Sequence, residues 1–247
     1  MDLLEISKKN RKMKKPLYIK VLSLFSVVRG YNILLIVIAQ YLASIFIFSP
    51  EKSLNNVLLD VDLYFIVLAT ICVIAAGYII NNFYDSETDR INKPLKSKID
   101  GIVSQKIKLR IYFLLNFIGV CFGFLVSLRA SFFFSVYIFL IWFYSHKLKR
   151  YPLAGFFSAT TLAILPFFAV FVHYRNFSEI IFTHAAFLFF ILLIRELIKD
   201  LESLSGDFTQ NYQTIAVKYG EYFTKILISI VVVLTLNPIY FVLRYPE

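Results

Sequence analysis

Residues 63–83 read LYFIVLATICVIAAGYIINNF, and residues 84–94 continue as YDSETDRINKP. The first stretch runs for 21 residues without a charged side chain, close to the ~20 that a helix needs to cross a bilayer core. Its Val, Ile and Phe would suit a strand in water. Lipid offers no partner to an open strand edge, so a helix is predicted. Further apolar stretches lie at about 22–48, 111–128, 131–145, 154–172, 180–198 and 223–243, making seven spans in all. The fold class predicted is all-α, a polytopic transmembrane helical bundle. The span at 131–145 is short, and a tilted or merged helix is expected there, with Phe132, Phe133 and Phe134 facing lipid. Composition agrees: 59% of residues are hydrophobic and 17% charged, against about 45–50% and about 25% in a soluble domain. Disorder is excluded by so much apolar surface. A disulfide scaffold is excluded by a cysteine count of two, Cys72 and Cys121, each inside an apolar run.

The net charge of +10 raises the possibility of a nucleic-acid partner, but its placement points to a membrane. Lys8, Lys9, Arg11, Lys12, Lys14 and Lys15 precede the first span. Residues 84–110 hold Arg90, Lys93, Lys96, Lys98, Lys106, Lys108 and Arg110, and residues 146–152 hold Lys147, Lys149 and Arg150. The intervening connections are poor in Lys and Arg: 49–62 has Lys52 against Glu51, Asp60 and Asp62, and 173–179 has Arg175. Alternation of this kind marks cytoplasmic loops. It predicts a basic cytoplasmic tail over 1–20, a single membrane domain over 21–247, a cytoplasmic N-terminus and the cell's inner membrane as location. No nucleic-acid motif is present.

The polar residues that break the apolar pattern carry the chemistry. If the second span continues as a helix, Asn81, Asp85 and Asp89 step four residues at a time and form one stripe. Where the sixth span ends, Glu196, Asp200, Ser203 and Asp207 share a second face at 3.6 residues per turn. Carboxylates and an amide oxygen on one stripe suit Mg²⁺, which keeps several waters and is commonly shared with a phosphate. Taken singly, either stripe also fits a solvated helix end. Both fall on the same predicted side, and ionisable groups at membrane depth mark functional sites. Together they could hold Mg²⁺ around a diphosphate, with Arg29, Lys93, Arg195 and Lys199 contacting its oxygens. Tyr78 and Tyr84 flank the first stripe and are candidate cavity residues.

These residues resemble the UbiA superfamily of intramembrane prenyltransferases. The family's first motif, NDxxDxxxD followed by a basic residue and proline, is similar to Asn81-Asn82-Phe83-Tyr84-Asp85-Ser86-Glu87-Thr88-Asp89 with Lys93-Pro94. Its second, KDIxDxxGD, is similar to Lys199-Asp200-Leu201-Glu202-Ser203-Leu204-Ser205-Gly206-Asp207, and its KTLAVxxG to Gln213–Gly220. Weaker echoes are Arg29-Gly30-Tyr31-Asn32 and the run from Tyr144 through Lys149 to Leu153. The resemblance implies Mg²⁺ as cofactor, held by Asn81, Asn82, Asp85, Asp89, Glu196, Asp200 and Asp207. It implies a substrate-binding set of Arg29, Asn32, Tyr78, Tyr84, Lys93, Lys149, Arg195 and Lys199, and catalytic roles for Asp85, Asp89, Asp200 and Asp207. It further implies an isoprenyl diphosphate as donor, a lipophilic acceptor (an aromatic quinone precursor or a glycerol-phosphate lipid), and a central cavity open to the cytoplasm. The chain departs from the pattern at Asn82 and Ser203, each standing where the family has Asp, and offers seven spans where the family usually has nine.

Two other functions fit parts of the sequence. A cation-coupled transporter would place its acids near mid-membrane in inverted repeats. A family member without activity would act as a membrane scaffold. His146, His173 and His184 show no metal-ligand spacing and are expected to be interfacial or packed residues. Pro166 predicts a kink, and Gly119 with Gly123 predicts close helix packing.

Overall fold

The computed structural model describes residues 16–209 and 212–244. All of its regular elements are helical. Helix α1 spans Leu17–Val27, and α2 spans Gly30–Ala43 and continues as a π turn over Ser44–Phe48. A short α3, Leu54–Leu58, leads into α4, Val61–Tyr84. Two short helices follow, α5 (Ser86–Asn92) and α6 (Pro94–Asp100). The remainder is α7 (Gln105–Val126), α8 (Leu128–His146), α9 (Pro152–Tyr174), α10 (Glu179–Glu202), α11 (Leu204–Thr209) and α12 (Ile215–Arg244). Among the described residues, seven helices are long and apolar enough to cross a membrane, as the hydropathy pattern predicts.

Helix α4 is the hub. Its Ile66, Ala69, Val73 and Ile74 pack with Ile33 of α2, Phe134 and Tyr137 of α8, and Ala169 of α9. Lipid tails are as apolar as these side chains, so close fit rather than water exclusion holds such helices together. The glycine pair in α7 supplies that fit. A Cβ at Gly119 would meet Val73 at 2.9 Å, and one at Gly123 would meet Phe134 at 3.0 Å. Phe134 is therefore core, contrary to the lipid-facing expectation, whereas Phe132 is exposed as expected.

The chain's breaks correct two other expectations. The first span is two helices, because Arg29 adopts a left-handed conformation (φ 51°) that costs a non-glycine residue about 1–2 kcal/mol. Its neighbour Gly30 leaves room for the Phe25 ring, which a Cβ there would approach to 2.0 Å and push aside. The fourth span is a separate helix of 19 residues, started by the Ser127 hydroxyl, which accepts from the Ala130 N–H at 3.1 Å. A helix begins at Leu17, within the stretch expected as a basic tail over 1–20, and the basic residues of that tail up to Lys15 lie outside the described residues.

Pro166 leaves the carbonyl of Leu162 without its helical donor. The Tyr137 hydroxyl donates to that oxygen at 2.9 Å, and Gln40 Nε2 donates to the Pro166 carbonyl at 2.9 Å. The turn around Pro166 is thus held from two neighbouring helices. Gly220 breaks α12 with φ 85°, a conformation that glycine adopts without steric cost.

Candidate active site

One cavity of about 540 Å³ opens among α2, α4, α8, α9 and α10. Its inner part is lined by Ile36, Ile74, Tyr137, Leu162 and Pro166. Its mouth lies at the end of the bundle that carries the basic connections, and there the two acidic segments face each other.

The first segment bends as it leaves α4. Asp85 ends that helix and starts α5, yet the Asp89 N–H still donates to the Asp85 carbonyl at 2.8 Å, and the Lys93 N–H to that of Asp89 at 2.8 Å. The four-residue stripe therefore survives the bend, and Asn81, Asp85, Asp89 and Lys93 all line the cavity. Lys93 ends α5 because the residue before a proline is pushed out of the helical region; its φ is −139°. From the other side, Arg195, Glu196, Lys199, Asp200, Ser203 and Asp207 line the same space. Arg29, Asn32, Tyr78 and Lys149 complete it. The Arg29 guanidinium lies 5.0 Å from the Tyr78 ring centre.

Two of the predicted residues stand elsewhere. Asn82 is buried one step off the stripe and does not line the cavity. Its Nδ2 donates to Asp100 at 3.1 Å, and its Oδ1 accepts from Lys108 Nζ at 2.8 Å. One residue is 100° of helix rotation, enough to turn Asn82 from the cavity-lining stripe into a polar junction with α6 and α7. Tyr84 packs against Phe83 and lies behind Lys149, whose ammonium is 5.7 Å from its ring centre.

The charges are partly paired. Lys149 is ion-paired with Asp85, and both side chains are largely buried. Tyr212 Oη approaches the same Asp85 oxygen at 3.4 Å. Glu196 is held by Arg195 at 2.9 Å and by Lys199, so its charge is already compensated. Ser203 Oγ donates to Asp207 Oδ2 at 2.5 Å. Asp89 and Asp200 make no ion pair among the described residues. Burial, with the nearby Asp85 charge, pushes the Asp89 carboxyl above the usual range. Burial also raises the Asp207 carboxyl, against the opposing pull of the Ser203 hydrogen bond. Carboxylates raised in this way gain most from a cation.

Asp85, Asp89, Asp200 and Asp207 are hard oxygen donors and fit Mg²⁺ by type. Among the described residues, the one group with three ligand atoms within 4.8 Å is Asp60, Asp62 and His173, at the opposite end of the bundle. The cavity acids are spread more widely than a single closed shell. Such spacing suits an ion that keeps waters and shares a diphosphate.

Sequence reasoning missed Asn92, Tyr144, Tyr212 and Thr214, all of which line the cavity. Asn92 had a legible signal: it lies one turn beyond Asp89. Tyr212 had none, since it reaches Asp85 across 127 residues of sequence.

An all-helical bundle with seven apolar spans among the described residues, and a cavity apolar within and bordered by carboxylates and cations at one end, defines an integral membrane protein. The sequence model of the UbiA prenyltransferase family matches residues 41–246, and the chain belongs to that family. It is 32% identical over 171 residues to the digeranylgeranylglyceryl phosphate synthase of Sulfolobus acidocaldarius, covering 68% of this chain but 62% of that one, less than two thirds of its length. It is 25% identical over 224 residues to the synthase of the same description from Sulfurisphaera tokodaii, covering 88% and 78%. Among solved structures, a UbiA homologue from Archaeoglobus fulgidus bound to DMAPP and Mg²⁺ superposes with a TM-score of 0.74 at 15% identity, covering 91% of this chain and 79% of that one. A digeranylgeranylglyceryl phosphate synthase superposes with a TM-score of 0.69 at 21% identity, covering 91% and 78%.

Proposed function

We propose that the protein transfers a prenyl group from an isoprenyl diphosphate to a glycerol-phosphate lipid within the membrane. The observation that carries this reading is the cavity's polarity: four aspartates and the cations Arg29, Lys93, Lys149, Arg195 and Lys199 at one end, apolar and aromatic side chains at the other. The names of the relatives favour a glycerol-phosphate acceptor over an aromatic one. In this reading the mouth and the N-terminus are cytoplasmic, in the cell's inner membrane. A transporter would hold its acids near mid-membrane; here they stand at span ends.

Asp85, Asp89, Asp200 and Asp207, with Asn81, would hold Mg²⁺. When bound, the metal offsets the diphosphate's negative charge and stabilises it as a leaving group. The cations complete that compensation, with Lys93 at the mouth and Lys199 and Arg195 on the opposite wall. Charge developing on a departing diphosphate is stabilised by such fixed groups without reorganisation, usually the largest single contribution in this kind of reaction. Tyr78, Tyr137 and Tyr144 line the cavity, and an aromatic ring face turned to an allylic carbon would favour positive charge there. Asp89 and Asp200, both without an ion pair, are the candidates to take the acceptor's proton.

The test is incubation of membranes containing the protein with labelled isoprenyl diphosphates of several lengths, a glycerol-phosphate lipid and Mg²⁺. Labelled lipid and released inorganic diphosphate are expected together. Absence of both at every chain length overturns the proposal.

A further inference from the structure

Asn92 belongs to the first acidic segment but grips the backbone of the second. Its Oδ1 accepts from the Gly206 N–H at 3.0 Å, and its Nδ2 donates to the Ser203 carbonyl at 3.3 Å. Gly206 lies in the first turn of α11, where backbone N–H groups lack intrahelical partners. The amide of Asn92 supplies the missing acceptor from across the cavity mouth. Its donor end meets the carbonyl at the junction between α10 and α11. A carboxylate lacks the donor and an ammonium lacks the acceptor, so neither could serve both ends. Gly206 is shaped to this contact. A Cβ built there would lie 2.3 Å from both Asn92 Nδ2 and Oδ1, and the Gly206 backbone needs no left-handed conformation. The glycine makes room for the amide.

We infer that Asn92 is a positioning residue that joins the two acidic segments before any metal or substrate binds. It stands one turn from Asp89, and its partners Ser203 and Gly206 bracket the approach to Asp207. The bridge therefore sets the separation between the carboxylates on the two walls. Its functional consequence rests on the diphosphate reading given above; the bridge itself does not.

The steric argument makes a specific demand on a double-mutant cycle. Asn92→Ala removes the bridge. Gly206→Ala leaves every ligand in place, but its methyl group displaces the Asn92 amide, which can swing away at small steric cost. Both single variants lose the same bridge, so the double variant should be no worse than either. The full-length protein in detergent is titrated with inorganic diphosphate at limiting Mg²⁺, by calorimetry, alongside hydrogen exchange of the segment 203–209 without ligand. Each single variant is expected to weaken diphosphate binding on the order of tenfold, the loss of one or two hydrogen bonds. The double variant is expected to match them, and each variant should lose the protection that segment 203–209 has in the wild type. Asn92→Asp keeps an acceptor for Gly206 but not the donor to Ser203, and should retain part of the protection. Losses that multiply in the double variant to about a hundredfold, or unchanged exchange in Asn92→Ala, overturn the bridge. If the wild type binds no diphosphate while segment 203–209 shows the expected exchange pattern, the diphosphate reading fails and the bridge stands.

Discussion

Replacing Asp85 with alanine should do more than remove a ligand. Its ion-pair partner Lys149 has a side chain only 6% exposed, and the Asp85 side chain is 18% exposed. Removing one member of a buried pair strands the other, at a cost of about 3–5 kcal/mol. For a chain of this size that corresponds to a melting temperature lowered by about 6–20 °C. The second substitution separates this cost from catalysis. Lys149→Met keeps the length and packing of the stem and removes the stranded charge, so Asp85→Ala/Lys149→Met should recover most of the lost stability and none of the turnover. The assay is thermal unfolding in detergent with a thiol-reactive dye in a Cys121→Ser background, because Cys121 is exposed whereas Cys72 is buried and becomes reactive when the bundle opens. Activity is measured in parallel as diphosphate release. An Asp85→Ala protein that melts with the wild type would refute the pair. A double variant as unstable as the single one would refute stranded charge as the cause.

Asp200 carries no ion pair among the described residues, so Asp200→Asn should lower turnover by about 10²-fold or more, the scale of one catalytic electrostatic contact, with little change in melting; single-turnover kinetics with labelled isoprenyl diphosphate check it. Ser203→Asp adds a carboxylate beside Asp207 in the cavity and should lower the Mg²⁺ concentration for half-maximal activity. Asn82→Asp should not, because its side chain faces Asp100 and Lys108; a Mg²⁺ titration of both variants distinguishes them. At the opposite end, burial opposes ionisation of Asp60, but the Leu63 amide, His173 and the Asp62 amide outweigh it and hold the carboxyl below the usual range. A lowered carboxyl contributes stability that is complete above the unfolded value of about 3.9 and is lost as the pH falls through the folded one. His173→Gln should shrink that contribution and move acid unfolding to higher pH, read from melting curves between about pH 3 and 6. Tyr137→Phe strands the Leu162 carbonyl freed by Pro166 and should cost about 1 kcal/mol, measured by the same unfolding assay.

Much of this molecule is written in short-range patterns. Hydropathy runs determine the seven spans because a bilayer demands length and apolarity and little else. The placement of Lys and Arg groups the acidic segments at one end. Helical spacing alone brings Asn81, Asp85 and Asp89 onto one wall and Asp200, Ser203 and Asp207 onto the other, and the cavity confirms both faces. These are properties of residues within a few turns of each other, so they survive the bends at Asp85 and Ser203.

The tertiary structure decided which of those groups are free to act. Asp85 is already paired with Lys149, which lies 64 residues away, while Asp89 is not. Asn82, one step off the stripe, is committed to Lys108 and Asp100. The spacing of Asn92 from Asp89 places it at the cavity, but its partner is Gly206, 114 residues distant, whose N–H comes within 3.0 Å of its Oδ1. Phe134 is indistinguishable in sequence from Phe132, yet one is buried under Gly123 and the other is exposed. Local periodicity assigns a residue to a face. The partner that meets that face depends on how distant helices pack, and pairing and burial, which set a side chain's charge and energy, follow from the partner.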